Sequence, residues 1–306
     1  MNHTDYISIH DLSASEVDEV LTLADEMKSD VAKFRGSMEG RTLALLFEKP
    51  SLRTRTTFEV AMTKLSGASI YLAPSDVGLG KRETTADIAR NLERWVDVIT
   101  ARTFLHKTVT DLAQYAKVPV INALTDRLHP CQALADYMTM REHLKDLGGK
   151  RIAYIGDGNN VAHSLLLGGP KVGMDVTVIT PEGFEPLGEI MDAAKMAAAD
   201  AGTKVETTTS LDAVDGANAV YTDVWASMGQ ESEADERARI FAPYQVNGEL
   251  MARTAEGALF LHCLPAHRGD EVTDEVADAP YSVIFDEAEN RLWTQMAVIY
   301  LLAAGK

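Results

Sequence analysis

The sequence predicts an α/β protein built as two doubly wound parallel-sheet domains. Three observations predict it. Short apolar runs of strand length alternate with amphipathic helical segments, the pattern of a parallel sheet covered on both faces. The alternation pauses at Gly148-Gly149 and then begins again. Nearly every unusual polar motif stands directly after an apolar run, at the carboxyl end of a predicted strand, where parallel sheets collect ligands. The length of 306 residues suits two domains at about 150 residues each.

Element by element, Ser13 and Glu16 form an S-x-x-E capping box, followed by Val17, Val20, Leu21, Leu23 and Met27 at helical spacing. Thr42–Phe47 reads as a buried strand, and further strands are expected at 96–101 and 118–122. Helical segments around 53–66, 84–94 and 107–116 alternate with them, and a helix near 130–145 ends at the glycine pair. The second series runs through a strand at Arg151–Ile155, a helix at 161–171 and a strand at Asp175–Ile179. A helix at about 186–201, apolar runs at 217–221 and 259–262, and a last strand at 282–285 follow, before a helix from about 286 to 303. The expected domains are 1–147 and 148–286, with the last helix, about 287–306, packing back on the first.

Apolar residues make up 46% and charged residues 25%, which places the chain among ordinary globular proteins rather than disordered ones. The net charge of −17 argues against nucleic acid, whose phosphates need a basic face. The acidic excess reads either as a soluble acidic surface or as adaptation to high salt; 13 Lys against 16 Arg leans toward the second. Two cysteines, Cys131 and Cys263, make no disulfide framework. The polar N-terminus carries no secretory signature, and no apolar run approaches the length of a membrane span, so a cytoplasmic protein with no membrane partner is expected.

The chemistry starts at Ser51-Leu52-Arg53-Thr54-Arg55, which joins a strand to a helix. Unpaired N–H groups of a first helical turn favour an anion, and two hydroxyls with two guanidiniums add donors matched to phosphate oxygens. An N-capped helix with a solvated Arg face is the plainer alternative. The glycine spacing of a nucleoside-triphosphate loop is missing. His129-Pro130-Cys131-Gln132 opens a helix with proline at its first position. His129 there is either a donor to a carbonyl oxygen or a simple cap. Arg102 follows an apolar run and Arg291 lies in the last helix; singly, each reads as a surface or ion-pair arginine.

In the second half, Gly156-Asp157-Gly158-Asn159-Asn160 resembles a dinucleotide turn, but Val161 replaces the third glycine and Thr180-Pro181 stands where an acidic residue would end the next strand. The paired carboxamides suit a zwitterionic ligand instead. Asp223 can hold a cationic amine and Ser227 can meet a carboxylate. Cys263, after the 259–261 run, reads as a buried structural residue or as a thiolate taking a proton from an amine beside Asp223; no Cys-His-Asn order supports a nucleophile. No close Cys/His spacing suggests zinc, and no metal or organic cofactor is expected.

With those residues together, the chain resembles the aspartate/ornithine carbamoyltransferase family, its ornithine branch in particular. The resemblance rests on Ser51-x-Arg-Thr-Arg55, Arg102, His129-Pro-x-Gln132, Gly156-Asp-Gly-Asn-Asn160, Asp223-x-x-x-Ser-Met-Gly229, His262-Cys-Leu-Pro265 and Glu289-Asn-Arg291. It implies transfer of a carbamoyl group from carbamoyl phosphate to the side-chain amine of L-ornithine, giving L-citrulline and phosphate; putrescine or an acylated ornithine is the alternative acceptor. It implies that Ser51, Leu52, Arg53, Thr54 and Arg55 bind the phosphate, and that Arg102, His129 and Gln132 address the carbamoyl group. Asn160, Asp223, Ser227 and Met228 would bind ornithine, while Cys263, Leu264 and Arg291 would complete a pocket in a cleft between the domains. Arg102, His129, Asp223 and Cys263 are the implied catalytic residues, and a homotrimer, or a multiple of trimers, is the implied assembly. The family's Gln or His on the loop after the third strand is replaced by Gly78, and Leu52 stands where Thr is usual.

Overall fold

The computed structural model describes residues 3–78, 82–226 and 231–304. The chain divides into two compact units, Met1–Ala135 with Glu289–Lys306, and Asp136–Ala288. The division falls inside the helix Pro130–Leu144, twelve residues before Gly148.

The first unit holds four parallel strands: β1 (Thr42–Phe47), β2 (Ala68–Leu72), β3 (Val98–Arg102) and β4 (Val120–Leu124), in the order β2-β1-β3-β4. The second holds β5 (Arg151–Ile155), β6 (Asp175–Ile179), β7 (Val205–Thr208), β8 (Ala219–Thr222) and β9 (Leu259–His262), in the order β7-β6-β5-β8-β9. In both sheets the order reverses direction beside a central strand, and the crossovers are helical, as a doubly wound sheet requires. Among the described residues no helix is long and apolar enough to cross a membrane.

Each unit carries its own core. In the first, Ala44 and Leu46 of β1, Ile99 and Ala101 of β3 and Val120 of β4 pack against Ile88, Leu92, Val109 and Leu112 of the covering helices. In the second, Ala153, Ile155, Ile179, Val220 and Phe260 pack against the helical residues Val276 and Ile284 and against Val246 and Val272, which bridge each other between elements. Sheet and helix apolar faces close on each other, which supplies the main stabilising term of each unit.

Sequence reading missed two strands, β2 and β7, for one physical reason. Both lie at sheet edges. Their side chains, Ala68-Ser-Ile-Tyr-Leu72 and Val205-Glu-Thr-Thr208, are half-exposed and polar enough to hide the apolar signal of a buried strand. The expected strand at 282–285 is a correction: Ser282 makes a single bridge to Phe260, and the last helix, Ile284–Ala303, already begins there. The helix expected to reach Lys171 stops at Gly168, and a 3-10 turn containing Pro170 follows. Pro170 lacks the N–H that would continue the helix.

Candidate active site

In the first unit, β1 delivers the chain to Ser51, which caps the helix Leu52–Lys64 by accepting from the Thr54 N–H at 3.2 Å. That places Leu52, Arg53 and Thr54 in the first turn, where backbone N–H groups lack helical partners. Leu52 is 76% exposed, so what it offers an anion is backbone. Thr54 is buried, and its hydroxyl accepts from Arg291 Nη2 at 3.1 Å. The other arm of Arg291 donates to Gln132 Oε1 at 2.5 Å. With its amide oxygen turned toward Arg291, Gln295 accepts from Nη2 at 3.0 Å and Nε at 3.2 Å. Arg291, 2% exposed, thus ties the last helix to the helices that begin at Leu52 and Pro130.

Arg102 ends β3 beside Phe47, and its carbonyl accepts from the Glu48 N–H at 2.8 Å, so the two loops leave the sheet together. His129 stands one residue before its helix, and its carbonyl accepts from the Gln132 N–H at 3.1 Å. Burial holds its imidazole well below the ordinary histidine pKa, and the positive charges of Arg291, Arg102 and Arg53 press it in the same direction. These five residues, 53, 102, 129, 132 and 291, are dispersed through the sequence and share one electropositive place. A neutral imidazole there is a hydrogen-bond donor or acceptor rather than an extra cation.

Arg55 is differently employed. Its Nε donates to Glu59 at 2.9 Å, and its guanidinium lies 3.7 Å from the centre of the Tyr71 ring. It braces the helix against β2.

Gly78 follows β2, the second strand rather than the third; it has φ +59°, in the left-handed region, and closes the short helix Pro74–Val77. Glycine suits that turn where Gln or His would be strained.

In the second unit, Asn159 rather than Asn160 caps the helix Asn160–Gly168, its Oδ1 accepting from the N–H groups of Val161 and Ala162. Its Nδ2 donates to Asp223 Oδ2 at 2.8 Å, and Tyr154 OH donates to its Oδ1 at 3.2 Å. Asp223 leaves β8 and also accepts from Cys263 Sγ at 3.0 Å, on Oδ1. Cys263 is therefore a thiol, and this corrects the thiolate expectation. Burial first, then the charge of Asp223, pushes its pKa well above the usual thiol range.

The Cys263-Leu264 turn has its own anchor. Leu264, at φ +58°, donates its N–H to His262 Nδ1 at 2.8 Å, which leaves Nε2 to face Glu271 at 3.0 Å. Asp223, His262 and Cys263 each bring a donor atom within 4.8 Å of the others, yet both imidazole nitrogens are already engaged. The set has no ring lone pair to give a metal.

Ser227 and Met228 lie outside the described residues. Arg237, which sequence reading passed over, links their flanks: it donates to the Trp225 carbonyl at 3.0 Å, to Glu233 at 3.1 Å and to Asp157 at 2.7 Å. At Gly158 an added Cβ would meet the backbone of residues 184–186 at 2.3–2.6 Å. The glycine admits the protein's own chain, not a pyrophosphate.

Residues 4–142 match the profile described as the carbamoyl-P binding domain of aspartate/ornithine carbamoyltransferase, and residues 148–302 match its Asp/Orn binding domain. The chain belongs to the aspartate/ornithine carbamoyltransferase family. It is 51% identical to the ornithine carbamoyltransferase of Pyrococcus abyssi over 304 residues, 98% of this chain and 96% of that one. The Pyrococcus furiosus ornithine carbamoyltransferase structure shares 50% identity and a TM-score of 0.96, covering 99% of this chain and 97% of that chain. A crystal structure of an N-acetyl-L-ornithine transcarbamylase is more distant within the same fold: 32% identity and a TM-score of 0.88, covering 98% and 99%.

Proposed function

We propose that this chain transfers the carbamoyl group of carbamoyl phosphate to the side-chain amine of L-ornithine, forming L-citrulline and phosphate. The observation that carries it is the set of three guanidinium charges, Arg53, Arg102 and Arg291, acting on one neutral buried histidine beside a helix N-terminus. That is an environment for a dianion bearing a polarisable carbonyl. Relatives about half identical over nearly the full chain carry the ornithine carbamoyltransferase name, which supports the acceptor.

In this reading Ser51, Leu52, Arg53 and Thr54 receive the phosphate, with Arg55 bracing their helix. Asn160, Ser227 and Met228 meet the amino-acid end of ornithine, and Asp223 meets the reacting amine, held by Asn159 and the Cys263 thiol. The ammonium gives a proton to the Asp223 carboxylate, and its nitrogen attacks the carbonyl carbon. Arg102, Thr54 and His129 meet the oxyanion that forms; such preorganised donors contribute about 3–4 kcal/mol each at the transition state. The carbon–oxygen bond to phosphate then breaks; phosphate leaves with the electron pair into the arginine cradle and takes the second proton of the attacking nitrogen, leaving the neutral ureido group. Cys263 and Leu264 border the transferred group. No cofactor enters this scheme. The same reading assigns a cytoplasmic protein working as a trimer or a multiple of trimers.

Arg53→Ala tests it. The carbamoyl phosphate KM should rise and kcat fall by about tenfold or more, the equivalent of one charge-assisted bond. Unchanged kinetics, or preferred turnover of putrescine, aspartate or an acylated ornithine in parallel assays, would overturn the assignment.

A further inference from the structure

Beneath the amine half-site lies a group of acids that the scheme above does not use. Asp136 and Glu287 are 0% and 1% exposed, and their carboxyl groups are hydrogen-bonded to each other. Glu287 also accepts from Tyr221 OH at 3.2 Å, through Oε1, and from the His262 N–H at 2.9 Å, through Oε2. A carboxyl–carboxyl hydrogen bond needs a proton, because two touching carboxylates out of water cannot both be ionised. Both Glu287 oxygens already accept from other groups, so the proton between the two carboxyl groups belongs to the pair rather than to either acid alone.

The second observation is what the pair holds. The His262 N–H belongs to the last residue of β9. The next residue is Cys263, whose thiol donates to Asp223. Asp136 begins the second unit and Glu287 stands one residue before its end. The bond therefore ties the helix that enters this unit to the helix that leaves it, and fixes the β9 terminus between them.

We propose that Asp136 and Glu287 are a one-proton carboxyl pair that positions the His262-Cys263 terminus of β9, and through it the Asp223–Cys263 pair that receives the amine substrate. They touch no substrate. The inference rests on the assignment of Asp223 to the amine.

The groups acting around the pair are the Tyr221 hydroxyl and Asp223 of the β8 segment, the Cys263 thiol and His262 N–H of the β9 end, and Tyr137 beside Asp136. Burial, then the charge of Asp136, raises the Glu287 pKa well above the usual carboxylate range. The unfolded chain releases this proton near pH 4.5, at the ordinary glutamate value, while the folded chain keeps it. Between that pH and the raised folded value the native state binds more protons, so stability falls as pH rises. A variant with a permanent donor at position 136 loses the part of that slope that Asp136 supplies.

The test uses the full chain with Asp136→Asn, which keeps a donor without a titrating proton, and Asp136→Ala, which removes it. The ornithine KM should rise about tenfold in Asp136→Ala, one charge-assisted hydrogen bond lost, with the carbamoyl phosphate KM within about twofold. Asp136→Asn should stay within about threefold of wild type for both substrates. Across pH 5 to 9 its melting temperature should gain steadily on wild type. Parallel melting profiles for wild type and Asp136→Asn would overturn the proposal, whether or not Asp136→Ala folds. So would equal rises in both KM values. A wild-type protein inactive on ornithine would instead overturn the functional reading on which this rests.

Discussion

Replacing Arg291 with methionine removes a guanidinium while keeping a side chain of similar reach. The structure states what is lost. Gln132 Oε1, Thr54 Oγ1 and the Gln295 amide oxygen each lose a donor in a place closed to water. A buried acceptor left without a partner costs about 1–3 kcal/mol, and hydroxyl and amide groups recover part of that by rotating. The expected net cost is about 3–5 kcal/mol, the range for breaking a buried charged network. Urea unfolding followed by tryptophan fluorescence measures it, with Trp293 two residues away as a local reporter. The carbamoyl phosphate KM should rise in the same variant, because Thr54 and Gln132 lose their common anchor. Arg291→Lys keeps the charge without the fork and should recover only part of either loss. A stability change below about 1 kcal/mol, the scale of a surface pair, with an unchanged KM would refute the account of Arg291.

His129 keeps a lowered pKa, so below pH 6.5 the unfolded chain takes up a proton that the folded chain refuses, and stability falls with acid across that window. His129→Gln should flatten that slope, as melting temperatures between pH 7 and 5 will show. Asp223→Asn should cut kcat by about 10²–10⁴-fold, whereas Cys263→Ala should cost less, because the carboxylate and not the thiol takes the proton; pre-steady-state citrulline formation separates them. Iodoacetamide at pH 8 should alkylate native Cys263 and Cys131 slowly, since burial raises the first and lifts the second to about 12; rapid labelling seen by mass spectrometry would contradict this. Gly158→Ala should destabilise by about 1–3 kcal/mol in denaturant unfolding, because its methyl has no room beside residues 184–186.

Much of this was legible in the sequence. Buried strands announce themselves, so β1, β5 and β6 have the expected bounds, whereas the edge strands β2 and β7 carry too little apolar signal. The arginines and His129 were readable as residue types after strands, and their convergence on one place follows from the parallel topology, which brings strand ends to one edge of a sheet. Asn159 was half visible: a carboxamide at a helix start is a capping signal, but its second bond, to Asp223, spans 64 residues. Glu271, Glu287, Asp136 and Gln295 left no trace. Each is a polar residue whose meaning is a single long-range partner in a buried setting, and no local pattern encodes that. The state of Cys263 was undecidable for the same reason, since neighbouring charge and burial fix it and neither is local.

Carbamoyl phosphate labelled with ¹³C at its carbonyl, incubated with the protein and an equimolar mixture of L-ornithine, putrescine, aspartate and acetylornithine, puts the central claim to carbon NMR. The label should appear in the ureido carbon of citrulline, with phosphate released in equal amount. Label accumulating on another amine, or leaving as hydrolysis products at the rate seen without protein, would contradict the account.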